Sequence, residues 1–291
     1  MTTDPLSPAA RALCDAMSAG FPRPEDGAAA LRVAARAHLG ELPPGSADTE
    51  ANGVPVRVYE GEGELVLVLA HGGGWVLCDL DTHDRLCRAL GAATGATVVS
   101  VDYRRAPEHR FPAAGDDVYT ALEWAAAKYP GRPLVVAGDS AGGNLAAATA
   151  LRARDHGGPP LAGQLLLYPV LDHRLDGVSA EAYAEGFFHT TAHMRWYWEQ
   201  YLGPDGDPVA ASPGLADDVS GLPPALVVLA DCDPLRDEGL AYARRLSASG
   251  VVARVQLHPG VFHGFLGGLG LLPEADDALA GAAAWLSGLT G

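Results

Sequence analysis

The segment from Leu134 to Gly143 carries the strongest chemical signal in the sequence. Its residues, LVVAGDSAGG, run from an apolar stretch through a Gly-x-Ser-x-Gly motif into an alanine-rich stretch with helical spacing. A strand that turns sharply into a helix places the central serine at the helix N-terminus, where free N–H groups favour developing negative charge. Such a turn needs small residues two positions before and after the serine, as Gly138 and Gly142 are. The pattern predicts Ser140 as a nucleophile.

A serine hydroxyl is a weak nucleophile, so it needs a general base beside it and a carboxylate that orients the base. In chains that follow the order serine, acid, histidine, the acid follows a late strand and the histidine lies in a loop near the C-terminus. Asp233 and His263 occupy such positions. Asp231 and His258 are close enough in sequence to compete with them. Spacing alone therefore leaves the acid and the base open.

A second glycine-rich segment, His71-Gly72-Gly73-Gly74-Trp75, directly follows an apolar stretch. Three consecutive glycines leave backbone N–H groups uncovered, and such a loop can approach an oxygen that gains negative charge. We predict an oxyanion hole formed by the N–H groups of Gly72, Gly73 and Ala141, with His71 orienting the loop rather than acting as the base. The segment lacks the G-K-[ST] ending and the G-x-G-x-x-G continuation, which disfavours nucleotide binding.

The elements that must position these residues alternate in type along the chain. Six apolar runs predict strands buried on both faces: Leu65–Ala70, Ala96–Val101, Leu134–Gly138, Gln164–Tyr168, Ala225–Ala230 and Val251–Leu257. Helical spacing predicts five helices, at about 82–94, 116–129, 141–155, 236–249 and 274–288. This alternation predicts an α/β fold with a mostly parallel sheet covered on both faces. The run Val54–Tyr59 alternates and contains a proline, which favours an antiparallel edge strand.

Two regions break this rhythm, residues 1–45 and 175–212. The second is crowded with aromatic side chains but has no strand pattern. Their partly helical spacing fits core packing and the wall of a substrate pocket about equally well. We expect these two regions to form a helical cap over a core of residues 46–174 and 213–291.

Composition limits the partners of the chain. Its 291 residues are 48% hydrophobic, enough for one large core, and its formal charge of −16 disfavours nucleic acids and anionic membranes. The four cysteines show no paired spacing, and neither a signal peptide nor a membrane span is apparent, which is typical of a cytoplasmic protein. An exposed edge strand at the C-terminal end of the sheet would allow pairing with a second subunit and hence a homodimer.

The chain resembles the hormone-sensitive-lipase family of α/β-hydrolases, in particular its bacterial esterases. The matching segments are the glycine loop His71–Trp75, the elbow Gly138–Gly142, the acid motif Asp233–Gly239 and the histidine motif His263–Phe265. The resemblance selects Asp233 and His263 over their neighbours. It implies an eight-stranded core, a cap, no cofactor, and hydrolysis of a small carboxylic ester through an acyl-enzyme intermediate. Arg105 stands where the family more often has an aliphatic residue.

A capped pocket of ordinary size favours short acyl chains. The same machinery would also serve a deacetylase or an acyltransferase that acts on a secondary metabolite. A non-catalytic receptor is a further alternative, because the plant gibberellin receptor resembles this family but lacks the catalytic histidine, which is present here as His263. The spacing of His189 and His193 would suit a metal on a helix, but a zincin needs glutamate where Thr190 stands, so we predict no metal site.

Overall fold

The computed structural model describes residues 4–37 and 39–290. Within them, eight strands form one sheet in the order β1-β2-β4-β3-β5-β6-β7-β8. Their bounds are β1 (Ala47–Ala51), β2 (Val54–Tyr59), β3 (Val66–Ala70), β4 (Thr97–Val101), β5 (Leu134–Asp139), β6 (Leu161–Leu167), β7 (Ala225–Cys232) and β8 (Ala253–Phe262). β2 is antiparallel to both of its neighbours, and all other pairs are parallel. The predicted α/β fold with a mostly parallel sheet is confirmed.

Helices cover both faces of this sheet. Their bounds are α1 (Pro8–Ser18), α2 (Gly27–Arg36), α3 (Asp84–Thr94), α4 (Ala113–Lys128), α5 (Ala141–His156), α6 (Val178–Ala182), α7 (Thr191–Leu202), α8 (Arg236–Ala248) and α9 (Pro273–Ser287). Alternate residues of β3 point to opposite faces: Val66 and Val68 belong to the core with α4, α5 and α8, and Leu67 and Leu69 to the core with α3 and α9. None of the helices in the described ranges has the length and apolar character that a membrane crossing requires.

β2 is antiparallel, as its alternation predicts, but it does not lie at the edge of the sheet. β1 pairs with its outer side and forms the edge. Four of the five residues of β1, ADTEA, are exposed, so no apolar pattern marks this strand in the sequence. Pro55 is tolerated inside the sheet because its carbonyl still accepts a hydrogen bond from the Asp102 N–H at 3.0 Å. The prediction of an edge position for β2 is therefore wrong.

The two regions that interrupt the β/α rhythm contact each other. Arg11 on α1 donates to the carbonyl of Gly186 at 2.8 Å, and its guanidinium lies 5.5 Å from the ring centre of Phe187. The first region also contacts the sheet, since the Ser7 N–H donates to the Gly260 carbonyl at 2.9 Å. The division into a core of 46–174 and 213–291 and a cap of 1–45 and 175–212 stays a prediction, and residues 1–3, 38 and 291 lie outside the described ranges.

β8 forms the opposite edge of the sheet and exposes apolar side chains. Val255 is 40% and Leu257 is 44% exposed. An unpaired strand edge with such side chains can add a strand from a second chain. We expect sedimentation equilibrium to give the mass of two chains, and we expect Val255→Lys combined with Leu257→Lys to give one chain, because charged residues block edge pairing. A single-chain mass for the unaltered protein at every concentration would contradict the predicted homodimer.

Candidate active site

Ser140 lies in the tight turn between β5 and α5. Its φ of 54° and ψ of −118° lie in a region that residues with a side chain rarely adopt, so the backbone is strained there. The neighbouring glycines are required by contact: a Cβ on Gly138 would collide with the carbonyl of Gly142, and a Cβ on Gly142 would collide with that of Ala70. The turn therefore holds the serine at the N-terminus of α5, as the motif predicts.

Three side chains from distant parts of the sequence meet at this turn. His263 Nε2 lies 2.9 Å from Ser140 Oγ, and His263 Nδ1 lies 2.8 Å from Asp233 Oδ2. Asp233 is 0%, His263 2% and Ser140 8% exposed, so water is largely excluded from these contacts. Because a carboxylate only accepts hydrogen bonds, Nδ1 carries the proton and Nε2 can accept one from the serine. The arrangement can thus activate the hydroxyl oxygen.

The two competing side chains lie elsewhere. The carboxylate of Asp231 is 36% exposed and forms an ion pair with Arg236 at 3.2 Å. His258 lies on β8, where its ring packs against Phe265 at 5.5 Å, and burial lowers its pKa. The partners of these residues are thus Arg236 and Phe265 rather than Ser140. Of each pair of candidates, the one that matches the family motif is in contact: His263 with Ser140, and Asp233 with His263.

The N–H group of Gly72, predicted to contact the oxyanion, already donates a hydrogen bond within the protein. It donates to Asp139 Oδ1 at 2.9 Å, and His83 Nε2 lies 3.1 Å from the same oxygen. Burial raises the pKa of Asp139, but the hydrogen bond from His83 and the nearby imidazoles of His83, His71 and His263 together hold this pKa below its ordinary value. An ionised, buried carboxylate binds an N–H group strongly. The structure therefore corrects the prediction for Gly72.

Gly73 and Gly74 lie closer to the reacting centre. Both line the cavity beside Ser140. Their N–H groups and that of Ala141 form no hydrogen bond within residues 4–37 and 39–290. A Cβ on Gly74 would collide with the ring of Tyr197, so this position has no room for a side chain. The sequence pattern does not single out Gly74, because three adjacent glycines look alike until the partner of the first is known.

His71 lies behind the glycine loop, where its surroundings suit a residue that holds the loop. Its ring stacks on that of Tyr103 with 4.2 Å between centres, and its Nδ1 donates to the carbonyl of Gly72 at 2.8 Å. Burial lowers the pKa of His71 to about 3, so the ring stays neutral at ordinary pH. It is too far inside the protein to act on a substrate, in line with its predicted place.

A cavity of about 260 Å³ opens next to Ser140. Its walls are mainly apolar. They combine Met17 and Phe21 of the N-terminal region, Tyr168 after β6, and side chains of the aromatic region, namely Phe188, His189, Met194 and Tyr197. Burial lowers the pKa of His189 well below its ordinary value, so this wall residue is neutral. The cavity thus offers a mainly apolar, aromatic surface to a bound molecule, with Arg85 and Asp139 as the charged residues in its lining.

The aromatic region serves both of the uses that its spacing allows. Phe188 and Tyr197 line the cavity, whereas Tyr201 stacks on Trp75 with 4.2 Å between ring centres. His193 takes part in the N-terminal cap of α7, where its Nδ1 lies 2.8 Å from Thr190 Oγ1. In the part of the chain that the structure describes, no group of three or more His, Cys, Asp or Glu side chains could hold a metal ion.

Known proteins resemble this chain in sequence and in fold. A family model described as the alpha/beta hydrolase fold matches residues 67–267. Carboxylesterase NlhH of Mycobacterium tuberculosis is 44% identical over 240 residues, which are 77% of this chain and 75% of the relative. Ethyl acetate hydrolase of Pseudomonas putida is 37% identical over 242 residues, 78% of this chain and 76% of the relative.

A solved structure agrees over nearly the whole chain. The hyperthermophilic esterase from Pyrobaculum calidifontis superimposes with a TM-score of 0.87 at 39% identity, covering 98% of this chain and 99% of that one. Identity and coverage at this level go beyond a shared fold. The chain therefore belongs to this family of α/β-hydrolases, the hormone-sensitive-lipase-like group, and is a serine hydrolase of the carboxylesterase type.

Proposed function

We propose that the protein hydrolyses carboxylic esters of short acyl chains, with Ser140, His263 and Asp233 as its catalytic triad. The observation that carries this proposal is the chain of contacts from Ser140 Oγ to His263 at 2.9 Å and on to Asp233 at 2.8 Å, beside an apolar cavity. A nucleophile, its base and an orienting acid are the groups that acyl transfer requires.

In the first half of the reaction, Ser140 Oγ attacks the ester carbonyl while His263 Nε2 takes the hydroxyl proton. Asp233 stabilises the resulting imidazolium through Nδ1. The carbonyl oxygen becomes an oxyanion, which the N–H groups of Gly73, Gly74 and Ala141 stabilise, at about 3 kcal/mol for each donor. When the tetrahedral intermediate collapses, the bond to the alcohol oxygen breaks and His263 gives its proton to the leaving alcohol.

In the second half, a water molecule attacks the acyl-enzyme. His263 takes a proton from the water, and the same N–H groups stabilise the second oxyanion. Collapse of this intermediate releases the carboxylic acid and returns the proton to Ser140 Oγ. His263 therefore acts alternately as base and acid.

Two observations support short acyl chains. The cavity of about 260 Å³ is smaller than the pockets that commonly hold drug-sized ligands, which begin at about 300 Å³. The relative from Pseudomonas putida is named for the hydrolysis of ethyl acetate, an ester with a two-carbon acyl group. The apolar walls suit an acyl group that carries no charge.

We expect kcat/KM on p-nitrophenyl esters to be highest between acetate and butyrate and to fall by about tenfold at octanoate, because additional methylenes must displace packed walls. Phe188→Ala should shift the preference to longer chains, since it enlarges the cavity. Phe187→Ala is the matched control, because its ring packs on Tyr183 at 5.1 Å and does not line the cavity. A preference for octanoate in the unaltered protein would rule out the short-chain proposal.

Each alternative function differs from ester hydrolysis in one respect. A deacetylase or acyltransferase differs in its acyl donor or acyl acceptor, and a receptor differs because it does not turn over a substrate. A deacetylase or acyltransferase would share the triad and prefer an acetylated natural product, or an alcohol in place of water, so competition assays against p-nitrophenyl acetate separate them. A non-catalytic receptor would not need the 2.9 Å contact between His263 and Ser140. Stoichiometric labelling of Ser140 by a fluorophosphonate excludes that alternative.

A further inference from the structure

The turn that follows the glycine loop is stabilised by hydrogen bonds that its backbone carbonyl groups accept. Within the turn, the carbonyl of Gly73 accepts hydrogen bonds from the N–H groups of Val76 and Leu77, at 3.0 and 2.8 Å. The free N–H groups of Gly73 and Gly74 lie at the start of this turn. The carbonyl groups of Leu77 and Cys78 lie at its end. Any group that fixes those carbonyls therefore sets the direction of the N–H groups.

Arg105 contacts two of these carbonyls with one nitrogen. Its Nη1 donates to the carbonyl of Leu77 at 3.0 Å and to that of Cys78 at 2.8 Å. The guanidinium is 29% exposed, so these charged hydrogen bonds are partly protected from water. The carboxylate of Asp79 lies 3.9 Å from the same nitrogen. Arg105 also reaches the turn from the segment after β4, which is anchored in the sheet.

The preceding carbonyl is fixed from a different element. Arg32 on α2 donates from Nε to the carbonyl of Val76 and from Nη2 to that of Ala106, both at 2.8 Å. Its orientation is set by Glu108, whose two carboxylate oxygens accept from the guanidinium at 2.8 and 2.7 Å. The Ala106 N–H in turn donates to the carbonyl of Trp75 at 2.9 Å. Arg105, Arg32 and the Ala106 N–H thus donate hydrogen bonds to the carbonyls of four consecutive residues, Trp75–Cys78.

A shift of the held carbonyls would reach the oxyanion donors directly. Cys78 packs against Gly73 so closely that a Cβ on Gly73 would lie 2.7 Å from the Cys78 nitrogen and 2.8 Å from its sulfur. Interiors packed in this way transmit displacement rather than absorb it. A movement at Leu77 and Cys78 would therefore displace Gly73 and its neighbour Gly74, which line the cavity together with Ser140.

We propose that Arg105 is a positioning residue for ester hydrolysis, which directs the N–H groups of Gly73 and Gly74 at the oxyanion by holding the carbonyls of Leu77 and Cys78. The proposal rests on the proposed function of Ser140. Arg105 itself touches neither substrate nor triad and acts through the turn alone. Arg32 supports the same turn through the carbonyl of Val76.

Arg105→Leu removes both hydrogen bonds and tests the proposal. We expect kcat for p-nitrophenyl butyrate to fall by about tenfold to a hundredfold, because small misplacements of catalytic groups have effects of that size. KM should change by less than about twofold, since these N–H contacts strengthen only as charge develops. The rate of inactivation by a p-nitrophenyl alkylphosphonate should fall with kcat, because phosphonylation builds negative charge on an oxygen at the same place. Arg105→Lys, which keeps a charged donor, should recover part of the loss.

Arg132→Leu is the matched control. Arg132 also donates to backbone carbonyls, those of Gly63, Glu64 and Leu65, at 2.7 to 2.9 Å, but it does so at the opposite end of β3 from the glycine loop. Both variants lose charged hydrogen bonds to the backbone, so both are expected to lower the melting temperature. Only Arg105→Leu should lower kcat and the phosphonylation rate.

The outcomes separate the positioning role from a purely structural one. Equal losses of melting temperature with kcat retained in both variants would overturn the proposal, and so would a rise in KM without a fall in kcat. If Arg105→Leu does not fold, Arg105→Gln takes its place, because its shorter amide cannot reach both carbonyls, and the same criteria apply. If Ser140→Ala keeps its activity, the proposed function fails. If Ser140→Ala is inactive while Arg105→Leu is fully active, the positioning role alone fails.

Discussion

Ser140→Ala is expected to lower kcat for p-nitrophenyl butyrate by about 10⁴-fold to 10⁶-fold, the range over which loss of a serine nucleophile acts. The variant has no oxygen that could accept the acyl group, so water would have to attack the ester directly. The N–H groups of Gly73, Gly74 and Ala141 would remain and account for residual turnover. Steady-state kinetics at saturating ester concentration measure the effect.

The fold should survive this substitution. Alanine at φ 54° meets the same backbone strain as serine, and within the described residues the hydroxyl forms no side-chain hydrogen bond other than that to His263. We therefore expect a melting temperature within a few degrees of that of the unaltered protein. Mass spectrometry after treatment with a fluorophosphonate provides a second measurement: the unaltered chain should gain one label and the variant none. A labelled or fully active variant would remove Ser140 from the mechanism.

Asp233→Asn is expected to lower kcat by about 10⁴-fold, although it changes only one atom of the side chain. The amide NH₂ would donate to His263 Nδ1, which moves the ring proton to Nε2. His263 could then no longer accept the proton of Ser140. The fold should tolerate asparagine, because its amide oxygen can still accept the hydrogen bond that the N–H of Leu235 donates to Asp233 Oδ1 at 2.8 Å.

Asp231→Asn is the matched control for this prediction. The carboxylate of Asp231 pairs with Arg236 at 3.2 Å and is 36% exposed, and exposed ion pairs contribute little to stability. Its kcat should stay within about twofold of the unaltered value, since a screened surface charge is lost and no hydrogen bond to His263 changes. A strong loss of kcat in Asp231→Asn with Asp233→Asn unaffected would exchange the roles of the two carboxylates.

The sequence predicts the fold class and the elements that carry the site because their signals are local. The predicted run Leu134–Gly138 before Ser140 combines continuous apolar character with a glycine-rich end, and β5 (Leu134–Asp139) follows it closely. The elbow is recognisable for the same reason, since the turn itself dictates glycine on both sides of the serine. Steric requirements between neighbouring residues can therefore be predicted from the sequence.

Features that depend on contacts between residues far apart in the sequence cannot be predicted from local patterns. β1 has exposed polar residues and becomes a strand only because β2 offers it an unpaired edge. Gly72 and Gly74 are chemically identical, and the carboxylate of Asp139, 67 residues away from Gly72, decides which N–H group remains free. The choice between Asp231 and Asp233 likewise depends on where His263 lies after the whole sheet has formed.

The hydrogen bond from Gly72 to Asp139 also bears on how the protein tolerates motion. Asp139 directly precedes Ser140 in the chain, so this hydrogen bond joins the turn that carries the serine to the glycine loop. If the end of β5 moves, both sets of atoms travel together and their separation is preserved. A change in the distance between the serine and the glycine loop therefore requires this buried hydrogen bond to a carboxylate to lengthen or break, which is costly.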